Sequence, residues 1–305
     1  KVVFRCLCLV EGCFWLPCCP TYFTPPTLSV CPKVGSKMPQ ADVQQKPQEM
    51  DVDPSKMSRK EKQKQLQDMY LNSNKRYFEI LTMTIFFILW PMSFYYNIIL
   101  RTDTFYAAGL SAVFFLIGMV MADFASGVTH WTFDTWGTIN TPFLGTFIRS
   151  FREHHLDATE ICNHDFIEAN ADSLLGAIPV MAALVVFPPS TFFGWASYSV
   201  LTWGALLICF TNEFHKWSHQ PRQKNPIIKF LQDTHLILPP RHHHVHHAAP
   251  HEVYYCITNG WMNPFLDSIG FWRKAETVVT AITGWVPRED DFSWCDIKPK
   301  GKKHH

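Results

Sequence analysis

Four apolar runs constrain this chain more than anything else in it: residues 78–100, 105–122, 174–187 and 192–211. A helix needs about 20 residues to cross a bilayer, and the first, second and fourth runs meet or approach that length. Pro91 would kink the first helix, which membrane helices tolerate. The third run holds only about 14 residues, which suits a re-entrant or short tilted helix. A very apolar soluble core is the competing reading, but aromatics at 15% and apolar residues gathered in long runs speak for lipid. The expected fold is an all-α membrane protein with about four transmembrane helices.

Charge gives the expected orientation. Lys56, Arg59, Lys60, Lys62, Lys64, Lys75 and Arg76 precede the first run, whereas Arg101 stands alone in the first hairpin and the second has no basic residue. Basic residues stay on the cytosolic side, so the N-terminal arm is expected there. Four crossings then return residues 123–173 and 212–305 to the same side. All fifteen histidines fall in those two segments. Residues 1–37 read as a non-native or leader segment upstream of a start at Met38, with a poor signal peptide or a small disulfide module as alternatives; 38–76 read as a disordered basic cytosolic arm, 77–290 as the transmembrane desaturase domain and 291–305 as a basic tail. Six of the ten cysteines lie between Cys6 and Cys31, and the rest are scattered without a disulfide pattern. A net charge of +1 gives no reason to expect nucleic acid as a partner.

The densest stretch is residues 241–251, with His242, His243, His244, His246, His247 and His251. Neutral imidazole is the commonest metal ligand in proteins. On a helix, His243, His246 and His247 can face one point. His215 and His219 share a face at the end of the fourth run, and His154 and His155 are adjacent. On a helix continuing out of the second run, Asp123, Gly127, His130 and Asp134 share a face, and Asp134 is placed to hydrogen-bond the His130 ring from behind. Together these are eight histidines on one side of the membrane. One tetrahedral zinc uses four ligands, so eight suit two metals of higher coordination, forming a cytosolic histidine-rich di-metal cap. Iron activating dioxygen makes the best use of such ligands beside a membrane.

The paired boxes at His215/His219 and His243/His246/His247 resemble those of membrane-bound di-iron lipid desaturases and hydroxylases. More closely, Arg152-Glu153-His154-His155, His164-Asp165-Phe166, His215-Lys216-Trp217-Ser218-His219 and Pro250-His251-Glu252 resemble the plasmanylethanolamine desaturases. These Kua-type histidine-box proteins are related to the plant desaturase acting on phosphatidylglycerol. The segments 256–261 and 269–273 fit the same family, and the likeness covers about residues 75 to 290.

That resemblance implies two iron ions and an ether phospholipid whose alkyl chain becomes a 1′-alkenyl chain. It also implies dioxygen as oxidant and electrons from cytochrome b5 and its reductase. The sequence departs from the three-box pattern, since Phe151 stands where an HxxHH box needs histidine. His130 and His164 are candidates for the missing places, and His242 can replace His243. Lys302 and Lys303 resemble the dilysine signal that returns membrane proteins to the endoplasmic reticulum, given cytosolic termini. Two other readings remain: a fatty-acyl desaturase or hydroxylase using the same metals, and a non-catalytic zinc-binding or carrier protein.

Overall fold

The structure is a computed structural model that describes Lys64 and residues 74–138, 141–142, 144–220, 225–248 and 250–288. The expectations for residues 1–37, for most of the basic arm and for the tail with Lys302 and Lys303 lie outside the described residues. Among those described there is no strand.

Among residues 74–288 as described, ten α-helices follow one another: α1 Lys75–Asn97, α2 Phe105–Thr135, α3 Gly145–Leu156, α4 Phe166–Asn170, α5 Ala177–Val186, α6 Phe192–His219, α7 Pro226–Asp233, α8 Pro240–His246, α9 Asn263–Ser268 and α10 Phe271–Thr283. Three are long and apolar enough to cross a membrane: α1 with its 3-10 extension to Arg101, α2 and α6. The third apolar run makes a fourth span only jointly. Phe166–Leu174 and α5 form a pair bent by 63°. Gly176 precedes α5, and Pro179 sits in the first turn, where its missing N–H has no partner to lose.

Side-chain oxygens start two of the spans. Thr104 accepts from the Ala107 amide ahead of α2, and Thr191 accepts from the Gly194 amide ahead of α6. Each satisfies one of the amides that a helix start leaves open. Outward-facing Leu81, Phe87, Ile88, Leu116 and Ile117 remain exposed on these helices, as lipid contact requires.

The pair α2–α6 forms the centre. Gly118 lets the backbones meet, since a Cβ there would lie 3.0 Å from the Val200 carbonyl and 3.1 Å from the Gly204 amide. Small residues at such crossings let membrane helices approach closely. Polar groups join α1 to α6: Ser93 and Thr202 hydroxyls lie 2.8 Å apart, and Trp195 donates to the Asn97 carbonyl at 2.8 Å.

Both α2 and α6 run past their apolar stretches. Apolar character ends near residues 122 and 211, but the helices continue as the histidine spacing predicts, α2 to Thr135 and α6 to His219. These extensions, with α3 and α8, carry the histidines.

Candidate metal centre

Nine side chains from four helices converge in two groups. In the first, one ring nitrogen from each of His154, His215, His219, His243 and His247 lies within 4.8 Å of all the others. His215 Nε2 is 2.7 Å from His243 Nε2 and 3.2 Å from His219 Nε2. His247 Nε2 is 2.9 Å from His243 Nε2 and 3.1 Å from His154 Nε2. The second group is His130, Asp134, His155 and His246, all buried. There, Asp134 Oδ2 lies 3.3 Å from His130 Nε2 and 3.5 Å from the Nε2 atoms of both His155 and His246.

Helix periodicity explains the split. Successive residues on a helix diverge by about 100° around the axis, so positions i+3 and i+4 fall on opposite sides of position i. His243 and His247 therefore meet in the first group, while His246 turns toward the second. Adjacent His154 and His155 separate in the same way. The expectation that His243, His246 and His247 face one point gives way to this division. Asp134 was expected behind His130, but its carboxylate faces the same point as three rings.

The donors suit metal ions. Burial, helped by neighbouring rings, pushes the basicity of His154, His155, His243 and His247 well below the ordinary histidine range. Neutral rings keep a lone pair for a cation. Two rings are fixed from behind: His130 donates from Nδ1 to the Tyr255 carbonyl at 3.1 Å, and His246 to the Val253 carbonyl at 2.8 Å. Their Nε2 lone pairs then point inward.

Sequence reasoning placed Asp123 on the His130 face of its helix but missed what it does. Asp123 is fully buried in α2 and accepts four backbone amides: Thr258, Asn259 and Gly260 on Oδ1 at 3.2, 2.9 and 2.8 Å, and Met262 on Oδ2 at 3.0 Å. This clamp fixes the 255–262 segment whose Tyr255 carbonyl holds His130. Gly127 permits the contact, because a Cβ there would collide with Cys256 Sγ.

His251 supports the second group from outside. Its ring stacks on His155 at 4.6 Å, and its Nδ1 donates to the His246 carbonyl at 3.0 Å. His251 and Tyr254 both adopt left-handed backbone, with φ of 62° and 60°, a conformation that costs about 1–3 kcal/mol per residue. Between them lies Val253, whose carbonyl holds His246.

The remaining predicted ligands lie apart. His164 Nε2 faces Glu168 Oε1 at 3.7 Å. His242 packs on His235, with ring centres 4.3 Å apart, and on Tyr254.

An apolar-walled cavity of about 690 Å³ reaches the first group. His154 and His215 form part of its wall, as do Met121, Val180, Met181 and Leu201. None of the second group lines it.

The lipid desaturase domain matches residues 119–290, the span that contains every donor of both groups. The chain belongs to the lipid desaturase family. The desaturase is 44% identical over 188 residues to mouse plasmanylethanolamine desaturase 1, covering 58% of this chain and 68% of that one. It is 46% identical over 186 residues to the plasmanylethanolamine desaturase of Myxococcus xanthus, covering 60% of this chain and 64% of the relative. To the chloroplastic fatty acid desaturase 4 of Arabidopsis thaliana it is 34% identical over 185 residues, covering 59% of this chain and 55% of that one. No solved structure matches the desaturase. Membership of an oxidoreductase family sets aside the non-catalytic carrier reading.

Proposed function

We propose that the protein is a plasmanylethanolamine desaturase, converting the 1′-alkyl chain of an ether phospholipid into a 1′-alkenyl chain to give a plasmalogen. The observation that carries this reading is the meeting of cavity and ligands: a cavity large enough for a ligand has His154 and His215 in its wall. The mouse and Myxococcus relatives, both named plasmanylethanolamine desaturases, support this substrate class.

The ligands in this reading are His130, His154, His155, His215, His219, His243, His246 and His247, with Asp134 as a ninth donor. His164 and His242 leave the set, because neither ring reaches a group. Two iron ions bound there would supply the dioxygen and one-electron chemistry that abstraction from an unactivated CH₂ demands. The chain's residues do the rest. They hold lone pairs inward, keep bulk water from the buried group and direct the lipid chain past His154 and His215.

The reaction removes two hydrogens from adjacent carbons. Dioxygen takes them with two further electrons and two protons, leaving as two waters. The electrons come from cytochrome b5 and its reductase, at the cytosolic face of the endoplasmic reticulum. Basic residues ahead of α1 support that orientation, with both termini cytosolic.

The test is expression in cells that lack vinyl-ether lipids, followed by mass spectrometry of the lipids and iron analysis of the purified chain. Vinyl-ether phosphoethanolamine lipids and about two irons per chain are expected. A new acyl double bond without vinyl ether would overturn the proposal in favour of acyl desaturation, as the name of the Arabidopsis relative suggests.

A further inference from the structure

The cavity is not apolar throughout. Lys75, Glu160, His164, Glu168 and Asp172 line it together with the apolar residues of α2, α5 and α6. These charged residues gather at the histidine end of the spans. Lys75 opens α1, Glu160 and His164 lie between α3 and α4, and Glu168 is in α4. Two contacts tie this mouth to the last turns of α6. Lys216 donates to the His164 carbonyl at 3.3 Å, and Asn212 donates to the Ala169 carbonyl at 2.6 Å. His215 lies between Asn212 and Lys216 in sequence, so the charged mouth adjoins the ligand that faces the cavity. Away from it the bore continues along α6 past Leu201, which lies 14 residues before His215, or roughly 21 Å at 1.5 Å per residue.

The mouth is acidic in balance. Three carboxylates face one lysine among its lining residues. That lysine is engaged already, since Lys75 Nζ lies 2.9 Å from Asp172 and 3.5 Å from the buried Glu79. Glu160 accepts from the Asn163 amide at 3.2 Å, and Glu168 faces His164. Neither contact brings a permanent positive charge. A half-buried negative mouth favours a cation and repels a headgroup that carries phosphate alone. An ammonium offers three N–H donors to carboxylates lining such a mouth, whereas a quaternary amine has no N–H to offer.

We infer that Glu160 and Glu168 form a subsite for the ammonium of an amine-bearing phospholipid headgroup, with the alkyl chain running from His154 and His215 into the bore toward Leu201. This inference rests on the proposed function and gives it a spatial reason. With the headgroup held beside His215, the chain carbons nearest the glycerol lie closest to the first histidine group. Desaturation at the 1′ position needs that placement, whereas a double bond far down a chain would need the headgroup held farther away.

The test uses the full chain, purified in detergent and metal-loaded. Equilibrium binding is measured for a short-chain ether phospholipid ending in phosphoethanolamine and for the same lipid ending in bare phosphate. The wild-type protein is expected to bind the amine lipid about tenfold more tightly. Glu168→Gln should remove most of that preference while leaving the bare-phosphate lipid unweakened. Glu160→Gln, on a separate element, provides a second reading should the first variant fold poorly, and iron content checks the fold of each. Loss of affinity for both lipids alike, or an unchanged preference in both variants, overturns the subsite. Vinyl-ether formation is scored separately. A headgroup preference that depends on Glu168, in a protein that makes no vinyl ether, would overturn the proposed function and keep the subsite. Vinyl-ether synthesis with a preference indifferent to both glutamates would do the reverse.

Discussion

The five-histidine group and the group of three histidines with Asp134 differ in what surrounds them. The first has two partly exposed members, His219 and His247, and two that line the cavity, His154 and His215. All its donors are neutral. The second is wholly buried, carries one carboxylate and lies off the cavity wall. It is also the more tightly held, through the Tyr255 and Val253 carbonyls and the stacked His251 ring. Openness and neutral donors lie where substrate arrives, while charge and rigid support lie behind. The contrast teaches that the two halves of one centre can be tuned separately, although α3 and α8 supply both.

The largest expected effects come from removing one donor of each group. Asp134→Ala and His215→Ala should each lower vinyl-ether formation by about 100-fold or more, with loss of about one metal ion per chain. Iron analysis beside the activity assay checks this. If either variant loses both ions, the groups bind as one cooperative unit and the contrast fails. A smaller effect is expected from Asp123→Asn, which keeps the shape but removes the charge that four amides share. Activity should fall about 10- to 100-fold, as for other supports of metal ligands, with iron lost from the buried group first. Equal loss from both groups would mean that the clamp supports the whole cap.

Gly127→Ala should act on the same segment more mildly. Its methyl group meets Cys256 Sγ, and such overpacking costs about 1–3 kcal/mol. Thermal unfolding should report that loss, with the iron content largely kept. The smallest effect is expected from His242→Gln, which should keep both metals and activity within about twofold. Loss of an ion there would return His242 to the ligand set.

Much of this was legible in the sequence. The apolar runs fixed three spans, because bilayer length and backbone hydrogen bonding leave few alternatives. His215 and His219 were legible as a pair because four residues make one helical turn. Other features were not. Whether His246 joins His243 or turns away depends on the rotation of α8 against its neighbours, which spacing alone leaves open. The length of the third run pointed to a re-entrant or short helix, as found, but no proline marks the bend between Leu174 and Ala177. Val253 and Tyr255 act through backbone carbonyls, to which side-chain identity gives no clue. Asp123 drew notice only for sharing a face with His130, since its partners lie more than a hundred residues away.

That distance bears on how the protein is made. The amides that Asp123 accepts lie 135 to 139 residues downstream. A ribosome has therefore delivered α2, and the whole of α6 after it, before the first of those donors exists. Until then the nascent chain holds a carboxylate near the membrane boundary that only water or a chaperone can solvate, and a buried charge without donors is unfavourable. The cap cannot close from the N-terminal side inward. It waits for the 258–262 segment, so a chain released before that point would carry most of the histidines and no settled place to put them.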